Sequence, residues 1–218
     1  MKNLILFSSA FVVLLSPALA RADYFVWADQ TTGLTASFPD TWAIQNNQTS
    51  DDVLTVALPS GEDRAMCKIS AVPDDRFRIY PNRFRSDIQQ VHFSKDFWYE
   101  QTAKYQNIKV HNFTDGAGLG KAFASTAVIT YVTPPDEVPE ARAALVSGGH
   151  YYDHVYTVEC SSAAASYGMY ADAFQSFVKS IDMKKAYNEL SIGNYRNFLR
   201  DWGTLEVKMP NAVSKTVY

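Results

Sequence analysis

Three groups of side chains in this sequence have types and spacings that could do chemistry. His150 and His154 stand four apart in Gly149-His150-Tyr151-Tyr152-Asp153-His154. On a single strand that spacing puts both imidazoles on one face, where they could give two nitrogens to a metal such as zinc or copper. Asp153 then points to the opposite face, and a tetrahedral site would need His92 or His111 from elsewhere. The competing reading is a pair of histidines hydrogen-bonded within a sheet or exposed at its end.

Arg76, Arg78, Arg83 and Arg85 surround Phe77, Tyr80 and Phe84 and make the one concentrated basic stretch. Arginine and aromatic mixtures of this kind bind carboxylates, phosphates or bases. The chain as a whole has 20 basic and 23 acidic side chains and a formal charge of −3, which opposes non-specific attraction to nucleic acid or to an anionic membrane. A protein partner with an acidic surface is therefore the functional use that fits, and a solvated edge leading into a helix is the alternative.

The third group is Cys67 and Cys160, the only cysteines. Each lies in an alternating run, Ala65-Cys67-Ile69-Ala71 and Tyr156-Val158-Cys160, so both thiols face an apolar core. In an oxidising compartment they are expected to form a disulfide; two separate buried thiols are the alternative. Catalytic signatures are missing where they would be sought: there is no Gly-x-Ser-x-Gly elbow and no His-Glu-x-x-His helix. Gly116-Ala117-Gly118-Leu119-Gly120-Lys121 matches neither phosphate-loop spacing and is expected to be a flexible turn before a strand. Pro134 to Glu140 is a stiff, acidic surface excursion. No cofactor is implied.

The elements that must position these groups follow from pattern. Lys2, the apolar run Leu4 to Leu15 and Ala18-Leu19-Ala20 form a secretory leader, cleaved near Ala20, that directs the protein to the periplasm or the outside. The apolar run is too short to span a bilayer, which needs roughly 20 residues. An aromatic fraction of 14% and a charged fraction of 20% belong to a packed globule rather than a disordered chain. Residues 21 to 183 are expected to form one domain. Its strands are Tyr24 to Ala28, Leu34 to Phe38, Val53 to Leu58, Ala65 to Val72, Ile108 to Phe113, Ala122 to Val132, Ala143 to Ser147 and Tyr151 to Cys160. Ile88, Val91, Trp98, Thr102 and Tyr105 share one helix face, with Ser86 and Gln89 as a capping box; Ser94 is an alternative start for a second helix. Tyr167, Tyr170, Ala171, Phe174, Val178 and Ile181 form the stripe of a closing helix that the sheet must cover. The fold class is α+β, an antiparallel sheet flanked by helices. Residues 184 to 218 are a C-terminal extension, with a helical face at Tyr195, Phe198, Leu199 and Trp202 and a strand-like Leu205, Val207 and Met209, expected to pack on the domain or to serve as a partner-binding arm.

Gly33-Leu34-Thr35-Ala36-Ser37-Phe38-Pro39-Asp40-Thr41-Trp42 resembles the strand, Pro and Trp signature near the start of the PsbP-like family. The Gly116 to Gly120 turn, the strand from Ala122 to Val132, the strand ending at Cys160 and the helix through Phe177-Val178-Lys179-Ser180-Ile181 then fall in family order, over roughly residues 24 to 183. The family includes lumenal proteins of photosystem II, exported bacterial proteins such as the DcrB group and a nuclear Ran-binding import factor. The resemblance implies an α/β/α sandwich and binding or assembly rather than catalysis, while the two cysteines and the extension depart from the minimal family pattern. Together these readings give an exported, non-enzymatic binding or assembly protein acting through protein contacts. The alternative is a small-ligand or metal-binding protein, or a hydrolase, with its site near His150 and His154.

Overall fold

Short runs that alternate apolar and polar side chains between turn formers pair most simply as an antiparallel sheet, and nine strands are present among the described residues. The computed structural model describes residues 23 to 184 apart from Gln48, Ser60 and Glu62, so the leader and the extension beyond Lys184 lie outside the described residues. The strands are β1 (Tyr24–Ala28), β2 (Thr35–Pro39), β3 (Ala43–Gln45), β4 (Asp52–Ala57), β5 (Met66–Pro73), β6 (Gln106–Leu119), β7 (Ala122–Val132), β8 (Ala141–Tyr151) and β9 (His154–Ala163). A 3-10 turn (Asn82–Phe84) leads into the helices α1 (Arg85–His92) and α2 (Lys95–Gln101), and α3 (Tyr167–Ser180) follows the last strand. Seven strands form one antiparallel sheet in the order β3-β4-β5-β9-β8-β7-β6, while β1 and β2 form a separate hairpin.

Side chains alternate across this sheet, so it has two faces with different covers. Against one face α3 lays Tyr167, Phe174, Phe177 and Val178, with Ile181 just beyond its end, onto Val56, Ile69, Leu145 and Val158. The β1-β2 hairpin closes the same side. Phe38 meets the Phe177 ring at 6.5 Å, and Trp42 stands edge-on to Phe174 at 6.1 Å. The hairpin is held by its backbone as well: Ser37 N–H donates to Ser180 Oγ at 2.8 Å, and Thr35 and Asp182 exchange two N–H···O bonds of 2.9 Å. On the other face Trp98 of α2 is buried among Ala127, Ile129, Ala144 and Val146, its indole N–H donating to Ser125 Oγ at 2.9 Å. Gly149 of β8 has no room for a side chain, because a Cβ there would collide with the Phe123 carbonyl oxygen.

Cys67 and Cys160 are bonded. They stand directly opposite each other on β5 and β9, fully buried, with Cα atoms 3.9 Å apart.

Several expectations are corrected. The single long helix is two, the second starting at Ser94 as the alternative had it: Phe93 turns inward, 2% exposed, and Ser94 adopts extended backbone before α2. The break leaves Val91 70% exposed and puts Gln89 in the buried place instead. The capping box at Ser86 and Gln89 does not form, since α1 is preceded by Phe84 at the cap position with no side-chain bond. The glycine run is not a turn: Ala117, Gly118 and Leu119 pair with Ala124, Phe123 and Ala122, and the chain reverses only at Gly120, where φ is +56°. β6 runs well past Phe113, its register to β7 shifting three times, after Gln106 and after His111, where Asn107 and Asn112 take positive φ, and again between Thr114 and Ala117. β3 is a short edge strand that the pattern did not suggest.

Candidate functional site

The two histidines do not share a strand. His150 is in β8 and His154 in β9, joined by the tight turn at Tyr152 and Asp153, with His150 paired to Val155 and Tyr151 paired to His154. Neighbours across a sheet point the same way, so the imidazoles project to opposite faces. His150 donates a ring N–H to the Asp74 carbonyl at 3.0 Å, and His154 Nδ1 lies 2.7 Å from the Asp153 carboxylate. His92 packs on the Phe77 ring and His111 bonds Thr130 Oγ1 at 3.0 Å. Among the described residues no group of three or more His, Cys, Asp or Glu side chains is arranged to hold a metal.

The arginine segment caps one end of the sheet. Asp74 N–H donates to the Asp153 carbonyl at 2.7 Å, which docks the segment onto the β8-β9 turn. Phe77 then lies between two imidazoles, with ring centroids 4.5 Å from His92 and 5.3 Å from His150. The arginines are partly neutralised. Arg76 makes a two-pronged contact with Asp74 at 2.7 to 3.1 Å, which holds the Asp74 carboxyl below its ordinary range, and Arg78 lies 3.7 Å from Asp75. Each guanidinium also covers an aromatic ring: Arg76 on Phe77, Arg78 on Tyr152, Arg83 on Phe84 and Arg85 on Tyr151. Around them Ile79 is 85% exposed, and Tyr80, Phe84 and Val91 also face solvent.

A second feature lies on the α2 side of the sheet, where among the described residues β5 and β9 have no helix over them. A hollow of about 320 Å³ adjoins one of about 250 Å³, and Lys68, Lys104 and Glu159 line both. Glu159 accepts hydrogen bonds from Tyr131 at 2.9 Å and from Tyr105 at 3.2 Å, the two rings being stacked at 3.9 Å. Burial and then the Glu159 charge push both phenols well above their ordinary range, so they remain donors. Arg142 closes one end by bonding Ser161 Oγ, the Arg64 carbonyl and Glu140. Lys68 leans to Asp52 at 3.6 Å. The arrangement holds charge in fixed positions, and its donors and acceptors are engaged with one another. One signal for it was available: bonding Cys67 to Cys160 across antiparallel strands places Lys68 opposite Glu159.

No protein-family model matches the chain, and no curated protein is similar to it in sequence. Among solved structures, cyanobacterial PsbP (CyanoP) from Synechocystis is similar with a TM-score of 0.50 and 10% identity, over 78% of this chain and 97% of that one. The Ran-binding protein Mog1p of Saccharomyces cerevisiae follows with a TM-score of 0.47 and 8% identity, covering 75% of this chain and 96% of its own. LpqN, involved in cell envelope biogenesis in Mycobacterium tuberculosis, has a TM-score of 0.44 and 8% identity over 75% of this chain and 91% of its own. An antiparallel sheet between α3 on one side and α1 and α2 on the other is thus a PsbP-like fold.

Proposed function

We propose that this is an extracytoplasmic protein that binds or helps assemble another protein, and that residues Asp74 to Val91, with the β8-β9 turn, are its contact surface. The observation that carries the reading is the exposure of Ile79, Tyr80, Phe84 and Val91 among arginines that already lie over aromatic rings. Arginine and aromatic side chains dominate the energetics of protein interfaces, and held side chains lose less freedom on binding. The partner surface should be acidic, to match Arg78 and Arg83. The leader-like first 20 residues and the Cys67–Cys160 bond support an oxidising compartment. Similarity to CyanoP at 10% identity supports the fold alone.

The test is native mass spectrometry of the protein recovered gently from its own compartment, beside two variants, Arg78→Glu with Arg83→Glu, and Ile79→Asp. All three positions are surface-exposed, so the thermal midpoint should hold while a stoichiometric protein adduct is lost. An adduct that survives both variants would sink this surface as the contact.

A further inference from the structure

β1 is an edge strand whose outer side no described residue pairs, and it carries three consecutive large apolar residues, Tyr24, Phe25 and Val26, each about half exposed or more. Neither proline nor lysine guards it, which leaves a template for another strand. The direction of its free groups follows from β2. Thr35 and Ser37 send their N–H groups away from β1, to the Asp182 carbonyl and Ser180 Oγ. Their register partners are Ala28 and Val26. In an antiparallel pair both residues of such a position face outward, so Val26 and Ala28 aim N–H and C=O at the open edge while Phe25 and Trp27 bond inward to β2.

The path of the chain after α3 leads to this edge. Asp182 pairs antiparallel with Thr35, so the chain runs along the inner side of β2 towards the hairpin tip. There Lys184 lies against Gly33, whose added Cβ would be 2.7 Å from the Lys184 Cβ. A strand returning around the tip runs antiparallel to β1. The chain continues to Tyr218, and Leu205-Glu206-Val207-Lys208-Met209 alternates apolar with charged. At roughly 3.3 Å per extended residue the intervening chain is more than long enough.

We propose that residues 204 to 209 add to β1 as an antiparallel third strand of the hairpin sheet. Leu205, Val207 and Met209 then extend the face of Phe25 and Trp27 and cover the open side of Phe25, and Glu206 and Lys208 stay in water with Tyr24 and Val26. The expected occupant is the protein's own tail rather than a partner.

Amide hydrogen exchange on the full chain tests this. Val26 and Ala28 should exchange within about tenfold of Phe25 and Trp27, at any protein concentration. In the full-length Glu206→Pro variant, which removes an N–H donor aimed at β1, Val26 and Ala28 should accelerate at least tenfold while Phe25 and Trp27 keep their rates. Val26 and Ala28 exchanging as free amides in the unsubstituted chain would overturn the proposal. Protection that Glu206→Pro leaves intact would assign the edge to something else, and protection lost on dilution would assign it to a second copy.

Discussion

The two faces of the sheet are built on different terms. The α3 face is apolar and closed: Phe174, Leu54, Ile69 and the disulfide are all at most 1% exposed, and the β1-β2 hairpin seals its margin. The α1-α2 face has a small aromatic core around Trp98, then gives way to Lys68, Glu159 and Arg142 in open hollows. Burial stabilises in proportion to apolar area removed from water, and a paired charge returns little beyond its own desolvation. The α3 face therefore holds the fold, and the opposite side can vary its polar groups with little loss.

The sharpest way to break that comparison is at the disulfide. It joins residues 93 apart and ties β5, and with it the β3-β4 edge, to β9. The chain-entropy model assigns a loop of this size about 4 to 5 kcal/mol. Cys67→Ala with Cys160→Ala should lower the unfolding free energy by that order and raise the m-value, because the unfolded chain without the cross-link exposes more surface; a loss below about 1 kcal/mol would mean the bond constrains little. Next, Phe174→Ala should cost about 3 to 5 kcal/mol in urea unfolding, since the ring is fully enclosed and meets Trp42, Tyr167 and Tyr170. On the opposite face Tyr131→Phe removes one hydrogen bond to Glu159 and should cost less than about 2 kcal/mol. If Tyr131→Phe costs as much as Phe174→Ala, the two faces are not built differently.

The closed face was legible in the sequence and the open one was not. Period-two runs set most strands of the sheet, and the three-and-four spacing from Tyr167 to Ile181 set α3, because each repeats one burial decision many times. Phe177 lies outside that stripe and is nonetheless buried, 2% exposed. Single events broke the pattern: Phe93 turning inward split the helix, and Asn107 and Asn112 lengthened β6 through bulges that alternation does not record. The hollow joins Tyr105, Tyr131 and Glu159 from three segments, and only the strand register brings them together. His150 and His154 do not share a strand face because four residues can be one strand or a tight hairpin, and Tyr152 at a positive φ of 57° makes it the hairpin.

The smallest expected effect concerns His150, which sits where the arginine segment meets the sheet. Burial pushes its pKa below the ordinary 6.5; the Asp74 carbonyl bond and the Asp74 charge pull it up, and Arg85 and Arg76 push it down again. The unfolded chain therefore binds this proton more tightly than the folded one. Stability attributable to His150 is full above about pH 7, falls as the pH drops through 6.5, and stops falling once the folded imidazole is itself protonated. One proton limits the slope to about 1.4 kcal/mol per pH unit, and partial solvent contact reduces it. His150→Gln keeps an N–H donor for the Asp74 carbonyl and removes the titration. Urea unfolding of both proteins from about pH 8 to pH 5 should give curves that converge in shape at the alkaline end, with the parent losing stability relative to the variant on the acid side. Parallel curves over the whole range would mean that the imidazole titrates as it does in water, and that the segment bearing Phe77 leaves it open to solvent.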